Sequence, residues 1–343
     1  MIAGHRRVSL LCFGLLLAQS APAVHAKALQ PPSEWLDAAT NNTIVAEVIG
    51  IDLGGKLSLK KLADIHGQKA APSELTLTTP PWLLTKLSPG QRYVIAYTAY
   101  TRSAVKPKTL VAIPTGPTLL IGPGLEPALF LDSPNARKLL TPTPRKIVDV
   151  SRTDLDFVLA GLASDDGQYQ NYFAAELALR PELQALLTAT DDAQISAFVR
   201  NPQAHPSARA LLLRSMAQRS ASAPLPWIDA AASDILDALS ETGHQRADDF
   251  NAALANTAFS VLQGHKASIA LPTLARWIGS DSPPLAEQAL LMIRQQAPKQ
   301  ERPLAEAALS LSLLDADTRT FLHDHLRRLT VMEEALRTAA PDG

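Results

Sequence analysis

The sequence predicts a multidomain α+β protein: a small N-terminal β-barrel followed by an all-α helical array. Three observations carry this. The hydrophobic period changes from two to 3.6 near residue 150. Pro72, Pro80, Pro81, Pro89, Pro107, Pro114, Pro117, Pro123 and Pro127 crowd the first half and bar any long helix there. The second half falls into about ten amphipathic segments joined by short turns.

The chain opens as an export signal. His5, Arg6 and Arg7 form a positive n-region, Val8 to Leu17 an apolar h-region, and Ala-Pro-Ala-Val-His-Ala at 21–26 a small-residue cleavage site. Residues 1–26 are therefore expected to be a signal peptide, and the protein periplasmic or secreted. Cleavage after Ala26 removes Cys12, the single cysteine of the 343 residues. The exported chain then has no thiol nucleophile and no cysteine ligand for a metal. After the h-region no apolar run is long enough to span a membrane.

The 32 basic residues less Arg6 and Arg7 leave 30 against 33 acidic ones, with no basic block. Phosphate-backbone binding needs clustered Lys and Arg, so nucleic acid is not an expected partner.

The barrel is expected over 31–131. Thr43 to Ile51 alternates, Gly54-Gly55 follows, and Lys56 to Leu62 alternates again, which reads as a β-hairpin. Glu74 to Thr78, Arg92 to Thr101, Leu110 to Ile113, Thr118 to Ile121 and Ala128 to Leu131 are further strands. Closing them into a barrel removes unpaired edges. Residues 132–150, with Pro134, Pro142 and Pro144, read as a linker.

The helical domain is expected over 151–340. Ser151-x-x-Asp154 is a capping box at its start. Asp248 to Gln263 carries one clean apolar stripe, with Gly264 expected as the C-cap. Further helices are expected at 154–163, 169–179, 181–189, 191–200, 206–219, 226–240, 269–278, 299–313 and 316–338, with another from Pro283-Pro284. Ile195 to Met216 resembles Thr273 to Arg294 at an offset of 78 residues. Half that offset aligns Ala208, Ala247 and Ala286, and also His205 with His244.

Two resemblances follow. Leu-Pro-Thr-Leu-Ala-Arg-Trp-Ile at 271–278 with Ser-Asp-Ser-Pro-Pro-Leu-Ala-Glu-Gln-Ala-Leu at 280–290 resembles a HEAT repeat, two helices in about 40 residues. The Asp-then-Arg ladder of many HEAT turns is mostly missing. The strand at 43–52, a second ending Ile65-His66-Gly67, a third at 74–78, and Leu-Ser-Pro-Gly-Gln-Arg-Tyr-Val-Ile-Ala at 87–96 resemble the OB barrel of netrin and TIMP-like modules. Their protease inhibition uses an N-terminal cysteine that this chain lacks, so the resemblance implies fold alone.

No reactive motif stands out. His323-x-His325 puts two rings about 200° apart on a helix, too divergent for one metal, and reads as a solvated face beside Arg327 and Arg328. Asp191-Asp192 and Asp248-Asp249 read as helix starts. There is no Gly-x-Ser-x-Gly elbow and no calcium loop. No cofactor, metal or catalytic residue is assigned.

The expected function is binding of a protein or peptide partner, since helical arrays and OB barrels present long surfaces. Trp82, placed in a loop of the β half, and His205 and His244, placed in equivalent turns, are the candidate partner-binding residues. Alternatives are a cell-envelope hydrolase with paired carboxylates at the domain junction, and a saccharide-binding barrel. The latter requires Trp82, Tyr93, Tyr97 and Tyr100 exposed on one face.

Overall fold

A computed structural model describes residues 31–36, 41–67, 71–100, 116–121, 127–141, 150–220, 225–240 and 249–339. The proposed signal peptide, the candidate strand at 110–113, Ala247 and His244 lie outside these residues.

A short helix α1 (Pro32–Leu36) precedes β1 (Asn41–Asp52), β2 (Lys56–His66), β3 (Glu74–Thr78), α2 (Pro81–Leu84), β4 (Arg92–Tyr100), β5 (Gly116–Leu119) and β6 (Leu129–Leu131). The strands run β1-β2-β3-β5-β4, and β4 pairs back with β1, so five of them close into a barrel while β6 adds to β4. The β3–β5 pairing is parallel and the others are antiparallel. This order matches the OB expectation. The β1–β2 turn is made by Gly55 at φ +105° alone, and Gly54 donates its N–H to Asp52 Oδ1.

Residue parity decides what each barrel face meets. Ile44, Ala46, Val48, Leu57, Leu59, Tyr93, Ile95 and Tyr97 fill the interior. The opposite faces of β1 and β4, with Val45, Val94 and Ala96, pack into the core of the helical region. Both strands are thus buried on two sides. Leu83 and Leu84 of α2 plug the barrel.

α3 (Pro134–Leu139) follows. It occupies part of the expected linker, and Ala136, Leu139 and Leu140 belong to the shared core. Ser133 caps it by accepting from Ala136 N, with Pro134 at N1, where a proline costs no hydrogen bond.

The helical region continues with α4 (Arg152–Leu162), α5 (Gly167–Ala178), α6 (Pro181–Gln184), α7 (Ala189–Arg200), α8 (Pro206–Ser220), α9 (Trp227–Ser240), α10 (Phe250–His265), α11 (Leu271–Ile278), α12 (Pro283–Gln296), α13 (Glu301–Leu309) and α14 (Ala316–Ala339). α6 is shorter than the expected 181–189 helix. They form five antiparallel hairpins, α4/α5, α7/α8, α9/α10, α11/α12 and α13/α14. The second helices stack in one layer, α5-α8-α10-α12-α14, and α7-α9-α11-α13 form the other. α7/α8 and α11/α12, the segments similar in sequence, are two hairpins apart, with Ala208 and Ala286 fully buried.

Ion pairs tie the first helices of successive hairpins: Arg152 to Asp191, Arg200 to Asp234, and Arg276 to Asp237. Asp191 is the most engaged. It also accepts from the N–H and hydroxyl of Thr188 in a capping box. The Arg152 guanidinium, bound through two hydrogen bonds, holds this carboxyl well below the usual carboxylate range. Asp191 and Asp249 thus serve the starts of α7 and α10 as expected, and Asp166 likewise caps α5.

α10 runs through Gly264 and ends at Lys266, the capping residue in the left-handed region at φ 55°. His265 Nδ1 lies 2.6 Å from Asp229 Oδ1, which anchors the extra turn on α9. Among the described residues no helix is long and apolar enough to cross a membrane.

Candidate functional site

Two adjoining cavities open where the barrel meets the array. One, of about 260 Å³, lies between α1, α3, α4 and α5; its walls include Leu36, Leu139, Phe157 and Val158. The other, of about 220 Å³, is walled by Ala160, Gly161, Tyr169 and Phe173. Lys138, Leu139 and Phe157 line both. The result is a groove with one mixed lobe, whose walls also carry Ser33, Thr141, Thr153, Asp154 and Glu176, and one mainly apolar lobe, with Lys138 on the lining of both.

Local capping fixes these walls. Ser151 and Asp154 start α4 through the expected capping box. Asp166 starts α5 by accepting from Gln168 N. Gly161 lets the two helices approach, because a Cβ there would lie 1.9 Å from the Phe173 ring. Gly161→Ala is therefore expected to cost about 1–3 kcal/mol by overpacking. Thermal melts check this, and a Phe173→Leu second change should return part of the loss. A Gly161→Ala protein as stable as the parent excludes this close approach.

Two carboxylates line the first cavity, and both are engaged. Glu176 accepts from Ser33 N at 3.0 Å and Ser33 Oγ at 2.5 Å. Arg180 Nε lies 2.9 Å away, with both side chains 3% exposed. That N–H does not point along the contact, so the Arg180 interaction is charge pairing rather than an aligned hydrogen bond. Asp154 accepts from Ser151 N and Ser151 Oγ. Lys138 differs. Its Nζ sits 5.3 Å from the Phe157 ring centre, a cation–π distance, and it forms no ion pair among the described residues.

The expected binding residues lie elsewhere. Trp82 is in α2 rather than a loop, because Pro81 starts a helical turn. It is 45% exposed, with Lys86 Nζ 5.5 Å from its ring centre. Its neighbours Leu83 and Leu84 are the barrel plug. Tyr93 and Tyr97 point into the barrel, at 5% and 3% exposure, so the aromatic face required for saccharide binding does not form. Strand parity places them together, but on the inner side.

His205 precedes α8 and is half-buried. Its N–H donates to Gln170 Oε1 at 2.7 Å, and its ring packs 5.4 Å from Phe250 and against Gly167. It joins α5, α8 and α10 and lies near Lys86, the lysine over Trp82. Burial pushes its pKa below the ordinary histidine value, Asp166 opposes this, and Lys86 adds to it. The folded protein therefore binds fewer protons than the unfolded chain below about pH 6.5. This contribution to stability is present above that pH and is lost as pH falls through the folded value. Melts at pH 7.5 and 5.5 should show a smaller difference for His205→Gln than for the parent. An equal difference refutes a neutral, buried His205.

His323 and His325 diverge as expected. His323 is exposed, whereas His325 is buried against Glu301 and not part of a solvated face. Among the described residues no three ligating side chains cluster to hold a metal ion.

Reasoning from the sequence did not single out Ser33, Lys138, Phe157 or Glu176. The groove draws them from four separate segments. One local signal was available: Ser133-Pro134, a cap followed by proline, marks α3 inside the expected linker.

Fold and site together define an OB-type barrel fused to an array of helical hairpins, with a groove at the joint. Comparison with protein-family models, with curated proteins and with solved structures finds no match for the chain.

Proposed function

We propose that this is an exported binding module that takes a peptide segment of a partner protein into the junction groove. The observation that carries the reading is the groove itself: one lobe of mixed polar and apolar lining and one mainly apolar, with both lining carboxylates already committed to Ser33, Arg180 and Ser151. Such a site offers contact surface rather than a poised acid and base. The engaged carboxylates are also what disfavours the hydrolase alternative. The positive n-region, h-region and Ala26 support export to the periplasm or outside the cell. The hairpin array is read as HEAT-like, a stiff scaffold behind the groove.

Peptides selected from a random library on the immobilised protein test this. Thr153 is exposed at the rim of the first lobe, so Thr153→Trp fills the groove without touching the core. Selected peptides are expected to lose about tenfold or more in affinity for this variant, a typical effect of blocking a central contact. Peptides that bind both proteins equally, or no selectable peptides, would refute the groove as the site.

A further inference from the structure

We propose that the last hairpin is an acid-released latch, in which a proton taken up by His325 loosens α14 from α12 and α13.

Three features of the seam between these helices carry the proposal. The α13/α14 hairpin packs on α11 and α12 from one side, while the far face of α14, with Thr320, His323, Asp324 and Arg327, is exposed. The last hairpin of a stack is held by one neighbour, so it opens at lower cost than the middle of the array. The seam is also incompletely filled. A cavity of about 140 Å³ lies between Leu290 and Leu291 of α12 and Leu329 and Met332 of α14, and atoms facing a void forfeit contacts that would hold the helices together. Finally, the seam buries an ionisable side chain. His325 is 8% exposed, and its Nε2 lies 2.9 Å from a Glu301 oxygen.

The charges around His325 set the sign. From α13 it faces Glu301, whose carboxylate already accepts from Arg294 Nε and Nη2. From α12 the same cavity is lined by Arg294 and Glu287, and from α14 by Arg328. Arg302 of α13 pairs with Glu333 instead. A neutral imidazole donates its Nε2–H to Glu301 and is satisfied. A second proton adds a buried charge beside two guanidinium groups, and the carboxylate that could answer it is shared. Burial, Arg294 and Arg328 outweigh Glu301, so the closed-state pKa lies below the ordinary histidine value. Opening exposes the ring and returns it to about 6.5. The closed state is therefore favoured in full above that pH and loses stability as pH falls through the closed-state value. At pH 5.5 an exposed histidine is about nine-tenths protonated, so the open population rises by at most about tenfold.

Hydrogen exchange of the full protein at pH 7.5 and 5.5, corrected for intrinsic rates, tests this. Opening at 316–330 is expected to rise between about twofold and tenfold more than opening of α8 and α10, where His205 acts. His325→Gln keeps a side-chain N–H for Glu301 but takes no proton, and should abolish the excess. An equal rise in all three helices, or an excess undiminished in His325→Gln, overturns the proposal. NMR titration of the His325 ring in the parent protein decides independently should that variant fail to fold: a value at or above 6.5 overturns the latch, and a lower one supports it.

Discussion

Replacing Trp277 by alanine is expected to cost about 3–5 kcal/mol, the range for deleting a large buried aromatic. The side chain is 1% exposed and joins three helices. From α11 its Nε1–H donates to the Leu236 carbonyl of α9 at 2.9 Å, and its ring meets Phe259 of α10 edge-on at 5.7 Å. Alanine forfeits both contacts and leaves a cavity between helices held apart by their neighbours. For a domain of this size the loss lowers Tm by about 10 °C. Trp277→Phe keeps the edge-on ring but leaves the carbonyl without this donor, so it should recover more than half of the stability. Circular dichroism melts measure both. A Tm for Trp277→Ala within about 2 °C of the parent would remove this residue as the joint of the array.

Trp277 shares its buried helix face with Thr273, Leu274 and Ile278, and the helix itself was legible in the sequence at 269–278. Most of the helical half was legible from the same helical period, with boundaries within a few residues. The turns between helices were harder. Gly264 looked like the stop of α10, yet the helix ends at Lys266, because a partner on α9, Asp229, holds the last turn. In the β half, alternation located the strands but could not say which parity faced inward. Tyr93 and Tyr97 share a face, as their spacing requires, and that face is the barrel interior.

The groove was not legible, for a geometric reason. Ser33, Lys138, Phe157 and Glu176 have no common spacing; they meet because α1 and α3 dock on α4 and α5. The ladder between hairpins was hidden likewise, since Arg152 and Asp191 are 39 residues apart, as are Asp237 and Arg276. Trp82 was expected in a loop and lies in α2, exposed, while its neighbours Leu83 and Leu84 plug the barrel. His205 proved to be a packing joint between three helices, with Lys86 nearby.

Glu301→Ala should cost about 2–4 kcal/mol and change the acid sensitivity of the whole array. Glu301 is 5% exposed at the start of α13. It accepts from Arg294 Nη2 at 2.6 Å and Nε at 3.0 Å, on α12, and from His325 Nε2–H at 2.9 Å, on α14. Breaking a buried pair from one side leaves the partners without their charge, an effect of about 3–5 kcal/mol in full burial. The Arg294 side chain is 42% exposed and can rehydrate, which lowers the expected figure. Burial raises the Glu301 pKa, but Arg294 and His325 outweigh it and leave the carboxyl below its usual range. Its stabilisation is thus present above about pH 4.5 and is lost as pH falls through the depressed value. His325 moves the other way in effect. Burial lowers its pKa, Glu301 partly restores it, and Arg294 and Arg328 lower it again. Removing Glu301 withdraws the only restoring charge, so His325 in the variant should titrate lower still, which NMR of the ring protons reads directly. Urea midpoints at pH 7 should fall clearly for Glu301→Ala and less for Glu301→Gln, whose amide oxygen still accepts from Arg294. A midpoint unchanged by Glu301→Ala, or an unmoved His325 titration, would show that the cluster does not couple the last three helices.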